Sequence, residues 1–343
     1  MKEQEVCILW QKTKDEAAKL FRVFAKEPEI LLPAEIEHCP IEAIAPYCFA
    51  AAEHLPDSEI LVTKVTVLCE KDEVYITNEE RIPNVMQIPD EFRVLCGDYV
   101  KKIVLPPSVT AIGSLAFYNC LNLEELSLGK ELREVGSDAF MNCRSLKILF
   151  LYGSVREKSG LQQILNQISS GIDVAFLTNT EQVKIFYPEY QEFYDEIAPA
   201  HIFGRNIEGE GFRARQSFTD GIVDLARYDL IFPRACVEEN ETTLLHLAKN
   251  RLLYPVDLRP EAEKRYEDYV KAHAMSLLHD LVKERALSQL EFFCKKKYFE
   301  EEEIEKAVVF CTTCEWAEGV ASLLEWKRML LEKKEDRYAF DEF

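Results

Sequence analysis

The hydrophobic pattern of this chain repeats with a period of 23 residues, as from Ile112 to Val135. Residues 111–128 (AIGSLAFYNCLNLEELSL) superpose on residues 134–151 (EVGSDAFMNCRSLKILFL). The paired positions are Ile112 and Val135, Gly113 and Gly136, Ala116 and Ala139, Phe117 and Phe140, Asn119 and Asn142, Cys120 and Cys143, and Leu123, Leu126 and Leu128 with Leu146, Leu149 and Leu151. A fixed period is typical of stacked repeats, which bury a shared core that no single unit buries alone. The pattern predicts a solenoid that binds through a surface, with Phe117, Cys120, Phe140 and Cys143 buried.

Weaker copies of the repeat precede these two. Residues 44–49 (IAPYCF) match residues 112–117 (IGSLAF), and residues 30–33 (ILLP) match residues 103–106 (IVLP).

Two further patterns flank these weaker copies. Thr13 and Glu16 form a capping-box pair before apolar residues at helical spacing, which predicts a helix after an initial strand. The alternation in ILVTKVTVL (from Ile60) that resumes at VYI (from Val74) predicts a hairpin or an elaborated repeat.

The clearest repeats resemble a known family. Residues 100–123 (VKKIVLPPSVTAIGSLAFYNCLNL) are close to the BspA-like leucine-rich-repeat consensus "L…I.LP.SVT.IG..AF..C..L". The resemblance implies a right-handed solenoid, one short parallel strand per turn and a role in protein–protein interaction. Members of that family are often found at cell surfaces.

Strand alternation identifies the side chains that face outward from the solenoid. If Leu126 and Leu128 point inward, their neighbours point outward. The 23-residue register then predicts a partner-binding ladder of Lys102, Val104, Glu125, Ser127, Ile148 and Phe150. The apolar end of this ladder needs a cover. Either the following helix, around residues 161–168, or an external partner provides it.

The pattern stops after Gly153. Ser159 is placed to cap a helix that carries Leu161 and Ile164, residues 174–177 predict a strand, and the aromatic residues 186–194 predict a helix at a domain junction.

Residues 201–218 contain Arg205, Arg213 and Arg215 among the aromatic residues Phe203, Phe212 and Phe218. These arginines are an alternative site for a carboxylate or phosphate. The competing interpretation is a hairpin held by aromatic packing and ion pairs with Glu208 and Glu210.

The last hundred residues carry a second period. TLLHLA, from Thr243, resembles the ankyrin signature TPLHxA, and His279 follows His246 by 33 residues, the ankyrin repeat length. Phe310 takes the histidine position in a third unit. The resemblance implies stacked helical hairpins, and it places His246 and His279 in structural rather than catalytic roles. Leu244 stands where the signature has proline, which separates this segment from a standard ankyrin repeat.

Composition excludes several classes of partner. The 343 residues have a formal net charge of −20, which repels phosphate backbones and anionic lipid headgroups. No apolar run reaches the length of a membrane span, and the N-terminus lacks the apolar core of a signal peptide. Eleven cysteines at core-like positions favour free thiols in a reducing compartment. We therefore expect no nucleic-acid partner, no membrane span and a cytoplasmic location, with the cell surface as the alternative if a signal peptide precedes this sequence.

Catalytic motifs are missing from the sequence. Cys311 and Cys314 have metal or redox spacing, but a second pair of ligands does not accompany them. Walker, Rossmann, nucleophile-elbow and zincin motifs do not occur. We expect no catalytic residue, no metal and no cofactor.

The sequence thus predicts an α/β leucine-rich-repeat solenoid followed by a mostly α-helical, ankyrin-like region. The expected domains are a strand–helix cap (1–29), the solenoid (30–155), a mixed α/β linker region (156–235) and helical repeats (236–343). The expected function is that of a non-enzymatic scaffold that binds another protein. The alternatives are an exported adhesin-type protein and a ligand-binding module around the three arginines.

Overall fold

The computed structural model describes residues 2–52, 54–56, 59–70, 73–197 and 202–339. The chain divides into two compact units, Met1–Glu238 and Glu239–Phe343. The first unit consists mainly of short strands, and the second consists of helices. At this level the prediction of a β-rich repeat region followed by a helical region is confirmed.

The strands of the first unit are β1 (Lys2–Lys12), β2 (Ala18–Ala25), β3 (Glu29–Leu31), β4 (Glu35–Ile36), β5 (Cys39–Ile44), β6 (Leu61–Glu70), β7 (Glu73–Ile82), β8 (Arg93–Val94), β9 (Lys102–Val104), β10 (Ala111–Ile112), β11 (Glu125–Gly129), β12 (Glu134–Val135), β13 (Ile148–Tyr152), β14 (Ile172–Leu177), β15 (Gln182–Tyr187), β16 (Gln191–Ile197), β17 (Ile202–Glu208), β18 (Phe218–Thr219) and β19 (Ile222–Val223). Its helices are α1 (Leu161–Leu165), α2 (Gly211–Ala214), α3 (Leu225–Asp229) and α4 (Phe232–Glu238), with a 3₁₀ turn at Val85–Gln87. The second unit contains α5 (Glu241–Leu253), α6 (Pro260–Ala272), α7 (Ala274–Lys283), α8 (Leu287–Lys295), α9 (Glu301–Thr313) and α10 (Ala317–Ala339).

The N-terminal segment forms antiparallel strands. β1 pairs with β2 and β6, and β6 pairs with β7, so the hairpin predicted after Ile60 is confirmed. The helix predicted after Thr13 is wrong. Glu16 adopts a left-handed conformation (φ 62°), and the Ala17 amide donates to Thr13 Oγ1 at 3.2 Å, which closes a turn into β2. Residues 20–23 are buried in succession, as a strand covered on both faces allows and an amphipathic helix does not.

Each coil of the solenoid contributes to two parallel ladders. The first contains β5, β10 and β12, in which Ile44, Ile112 and Val135 share one register. The second contains β3, β9, β11, β13 and β14, and its buried row consists of Ile30, Ile103, Leu126, Leu149 and Val174. The two weak N-terminal copies therefore lie in the register that the sequence predicts. The ladder continues through β14, although the sequence pattern ends near residue 155.

Register-equivalent side chains form columns in the interior. The rings of Phe49, Phe117 and Phe140 stack with centroid separations of 4.8 and 4.9 Å, and all three are buried. The Cys120 thiol donates to the carbonyl of Phe49 and the Cys143 thiol to that of Phe117, each at 3.2 Å. The prediction that these phenylalanines and cysteines are buried is confirmed.

Glycine marks the point where consecutive coils approach most closely. A Cβ at Gly113 would collide with the backbone at Pro46, and one at Gly136 would collide with the backbone at Ser114. A left-handed residue follows two positions later, at the equivalent residues Tyr47, Leu115 and Asp138 (φ 60°, 58° and 55°). A second left-handed position lies at the equivalent residues Asn119 and Asn142 (φ 59° and 63°).

Glutamine amides close two edges of the ladders. At β3, Gln4 Nε2 donates to the Glu29 carbonyl at 2.6 Å, and the Leu31 amide donates to Gln4 Oε1 at 3.1 Å. At the opposite end of the stack, Gln163 of α1 bonds the Val135 amide (2.8 Å) and the Arg133 carbonyl (2.9 Å). Gln167, one turn further, bonds the Phe140 amide (3.2 Å) and the Gly136 carbonyl (3.0 Å). Each side chain thus presents one donor and one acceptor to the edge, as a further strand would.

We expect the double variant Gln163→Ala/Gln167→Ala to lower the free energy of unfolding by about 2–4 kcal/mol, since four backbone bonds at the stack end are lost and net hydrogen bonds contribute about 0.5–1.5 kcal/mol each. Urea unfolding measures the loss. The control is Gln162→Ala, on the same helix. Equal stability of the double variant and the control would contradict the capping role.

The segment after β14 differs from the prediction of a helix at residues 186–194. These residues lie in β15, which pairs antiparallel with β14, and in β16, which pairs with β17. The buried ring of Tyr187 stacks on Phe218 and meets Tyr228 edge-on. The aromatic residues therefore pack within the first unit and lie in or beside strands rather than in a helix. Their alternation, with Val183, Ile185 and Tyr187 buried on one face, has the strand period.

The helices of the second unit pack against one another. His279 of α7 packs against Phe310 of α9 with ring centroids 4.4 Å apart, and Lys249 of α5 pairs with Glu284 after α7 at 3.0 Å. The helices α7, α8 and α9 end in the same left-handed motif, on Arg285, Lys297 and Glu315. In each, the following amide bonds the carbonyl five residues earlier, as in Ala286 to Leu281 at 2.9 Å.

Candidate partner-binding face

The predicted ladder lies on the outer face of the second parallel sheet. Its first row contains Glu29, Lys102, Glu125, Ile148, Asp173 and Phe186 in successive strands. Its second row contains Leu31, Val104, Ser127, Phe150, Ala175 and Lys184. The structure therefore brings all six sequence-predicted residues onto one face. Sequence analysis missed the extension of both rows through β14 and β15, because those strands lack the glycine and phenylalanine positions of the repeat.

Ion pairs flank the apolar part of this face. Lys102 Nζ lies 2.6 Å from Glu125 Oε2, and Lys184 Nζ lies 2.9 Å from Asp173 Oδ2. The first pair is more than one-third exposed on the side of Lys102, so it adds little to stability. It places one positive and one negative charge side by side at one end of the face.

The centre of the face is apolar and half-buried. Val104, Ile148 and Phe150 are each partly accessible, whereas Ser127, which lies between Val104 and Phe150 in the second row, is only 3% exposed. Neighbouring side chains thus shield one another along the row. The apolar side chains lie on β9 and β13, on either side of Glu125 and Ser127 of β11, and none of them is fully exposed.

The helix considered as a cover for this surface lies elsewhere. α1 bonds the edge of β12, in the other ladder, through Gln163, and Gln167, just after the helix, accepts from the Phe140 amide of the same coil. Beside β13 the chain instead adds β14, in which Asp173 lies next to Ile148 and Ala175 next to Phe150. The helix occupies the position of the next coil in the first ladder, because the two glutamines satisfy the backbone groups that a strand would satisfy.

The three arginines of the alternative anion site have separate partners. Arg205 pairs with Glu192 (Nη2 to Oε1, 2.6 Å), and Arg213 pairs with the buried Glu210. Arg215 is 1% exposed, and it donates to the carbonyls of Ile168 (2.8 Å), Ser170 (2.6 Å), Pro188 (2.5 Å) and Gly211 (2.9 Å). Burial lowers the pKa of Arg215 to about 10, so its guanidinium stays charged at neutral pH. Phe203, the third aromatic residue of this prediction, has a side chain outside the described part.

The cysteine and histidine candidates lie in helices. Cys311 is buried in α9, Cys314 caps that helix, and burial raises the pKa of Cys311 to about 11, which disfavours the thiolate. Within the described residues, no group of three or more His, Cys, Asp or Glu side chains is placed to hold a metal ion. The helices of the described ranges include none long and apolar enough to cross a membrane.

Comparison with known proteins identifies the repeats. The family model for the BspA type leucine rich repeat region matches residues 89–184, in six copies. Comparisons with curated proteins and with solved structures gave no match. The matched segment extends past residue 155 and includes β14, in agreement with the parallel ladder. Residues 89–184 are therefore similar to the BspA type leucine rich repeat region, and they form part of a solenoid in the first unit.

Proposed function

We propose that this protein is a non-enzymatic scaffold that binds a partner protein through the outer face of the second parallel sheet. The observation that carries the proposal is the half-buried apolar centre, Val104, Ile148 and Phe150, beside the ion pair of Lys102 and Glu125. An apolar centre with a polar rim is the usual composition of a protein interface. Regular outer faces of this kind are where repeat proteins commonly bind.

We further propose that the helical unit is ankyrin-like and provides a second stacked surface. The 33-residue spacing of His246 and His279 supports this, as does the contact between His279 and Phe310. The single residue His273 between α6 and α7 is shorter than the turn-containing connection of an ankyrin repeat, which limits the resemblance to the helical hairpins.

The double variant Ile148→Lys/Phe150→Ser tests the binding face. At each position the variant introduces a residue that an equivalent strand already carries there. These are lysine, as at Lys102 of β9, and serine, as at Ser127 of β11. We expect the variant to keep its melting temperature and to lose at least roughly tenfold in affinity for proteins captured by the wild type, because the central apolar contacts are removed.

The matched control is Met141→Ser, an exposed apolar residue of the same repeat that is not part of this face. Quantitative affinity capture with mass spectrometry, run with the intact chain, compares the three proteins. If every partner of the wild type is retained equally by both variants, the proposed face is not the binding surface.

A further inference from the structure

A two-stranded ribbon formed by β16 and β17 is a separate feature of the first unit. The strands pair over seven positions, from Gln191 and Glu208 to Ile197 and Ile202. Within the described ranges no third strand pairs with either of them. Both outer edges therefore present backbone N–H and C=O groups that another strand can bind.

The base of the ribbon is held rigidly. Tyr190 meets Phe212 edge-on at 5.6 Å, and the Arg205 guanidinium lies over the Phe212 ring at 5.2 Å. Arg215 binds the carbonyl of Pro188, just before β16. A ribbon fixed at its base needs little ordering when a partner adds to it, which favours binding.

The described side chains of β16 are exposed. Residues 191–196 are all exposed, with Tyr194 at 64% and Phe193 at 38%. Gly204, opposite Asp195, has open space where a Cβ would be, since the nearest atom is the Asp195 carbonyl oxygen at 3.9 Å. A neighbouring strand can therefore approach the backbone without meeting a large side chain at this position.

The ribbon is acidic. Its two strands carry the carboxylates Glu192, Asp195, Glu196 and Glu208 and a single cation, Arg205. Arg205 pairs with Glu192, and Asn206 donates to Asp195 from the opposite strand. Tyr194 shares one face of the ribbon with Glu192 and Glu196, and Phe193 shares the other face with Asp195. Each face therefore combines net negative charge with one exposed aromatic ring. Such a surface attracts cationic side chains by charge and by cation–π contact.

We propose that the β16–β17 ribbon docks an extended, lysine- or arginine-rich segment of another protein, which adds to the ribbon as a third strand. Main-chain hydrogen bonds supply the affinity, and the carboxylates select basic side chains at alternate positions. This site is independent of the face proposed above, which lies on the ladder of the solenoid.

The test uses the full chain and a fluorescein-labelled eight-residue peptide of alternating lysine and valine. Fluorescence anisotropy is expected to show binding that weakens as salt is raised. A glutamate–valine peptide is expected not to bind. The lysine–valine peptide methylated at every backbone nitrogen is also expected not to bind, because it keeps the charge but cannot donate to an edge. Equal binding of the methylated and unmethylated peptides would overturn strand addition.

The isosteric variant Asp195→Asn/Glu196→Gln is expected to weaken peptide binding roughly threefold to tenfold, since two surface carboxylates are neutralised. The matched control Glu134→Gln/Asp138→Asn removes two exposed carboxylates from the solenoid and is expected to bind as the wild type does. The variant Ile148→Lys/Phe150→Ser is also expected to retain peptide binding, which separates this site from the proposed face.

Hydrogen exchange with the bound peptide gives an independent measurement of the location. Added protection is expected in β16 or β17. Protection confined to other segments, or an unchanged affinity of the Asp195→Asn/Glu196→Gln variant, would overturn the proposal.

Discussion

Replacement of Phe117 by alanine is expected to lower the free energy of unfolding of the first unit by about 3–5 kcal/mol. Phe117 is completely buried and lies in the middle of the aromatic column, with Phe49 on one side and Phe140 on the other. Its removal opens a cavity and eliminates both stacking contacts. The backbone on either side is held by ladder bonds, such as that from the Phe117 amide to the Ala139 carbonyl at 2.8 Å, so the coils cannot collapse into the space.

Equilibrium urea unfolding of the intact chain measures this loss. The matched control is Met141→Ala, which truncates an exposed apolar side chain next to Phe140 and is expected to change stability by less than about 0.5 kcal/mol. A loss below about 1 kcal/mol for Phe117→Ala would contradict the stacked column and, with it, the register of the repeat.

The repeat register could be predicted from sequence because one-to-one matching of apolar, glycine and cysteine positions leaves no freedom in the alignment. The pairs Ile44 with Ile112 and Ile30 with Ile103 followed from it. The glycines predicted a close approach of backbones. Asn119, Asp138 and Asn142 are residue types that favour the left-handed conformation, so the sequence contained a signal at those positions. The left-handed backbone of Tyr47 and Leu115 could not be predicted, because these residue types rarely adopt it and only the stacked coil imposes it.

The errors arose where one spacing fits two structures. The apolar residues after Thr13 fit a helical period, but burial on both faces of a sheet produces the same apolar run. The helix predicted for residues 186–194 was based on the density of aromatic residues, whereas their alternation along the chain indicates strands. The three arginines were open to two interpretations, an anion site and a hairpin held by aromatic packing and ion pairs. Arg215 instead binds four backbone carbonyls, a role that neither interpretation names.

The binding face could be predicted in part. Strand alternation identifies which residues of β9, β11 and β13 face outward, and the structure places them together. The strand at residues 174–177 was predicted, but its place in the ladder was not, because the coil before β14 has α1 where earlier coils have a strand of the first ladder. The sequence did contain a signal for this replacement of a strand by α1. Gln163 and Gln167 are spaced by one helical turn, so both side chains can face the edge of the ladder.

The stability of the first unit is expected to fall steeply between pH 9 and about pH 12. Burial raises the pKa of Cys7 to about 11 and that of Cys143 to about 12, and it also raises the pKa of Cys48 and Cys120, from an ordinary value of 9.0. Above pH 9 an unfolded chain releases these protons while the folded chain retains them. The folded state then binds more protons than the unfolded state, so stability is complete below pH 9 and is lost as pH rises.

Each such thiol lowers the free energy of unfolding by about 1.4 kcal/mol per pH unit between its unfolded and folded pKa values. Cys143 alone then removes roughly 4 kcal/mol by pH 12. Several thiols together exceed the total stability of an ordinary domain, so we expect the first unit to unfold before pH 12. Urea unfolding at half-unit steps from pH 7.5 to 10.5 gives the slope.

Two variants assign this slope to the buried thiols. Cys143→Ala is expected to be less stable at pH 7.5 and to lose stability above pH 9 more slowly than the wild type, by up to about 1.4 kcal/mol per pH unit. Cys236→Ala removes an exposed thiol, whose pKa burial also raises, and is expected to change the slope less than Cys143→Ala does. Alkylation by iodoacetamide at pH 8 should likewise modify Cys236 well before Cys120 and Cys143, because a buried thiol with a raised pKa is both inaccessible and protonated. A wild-type stability that stays constant from pH 8 to 10.5 would show that these thiols are not buried in the stack.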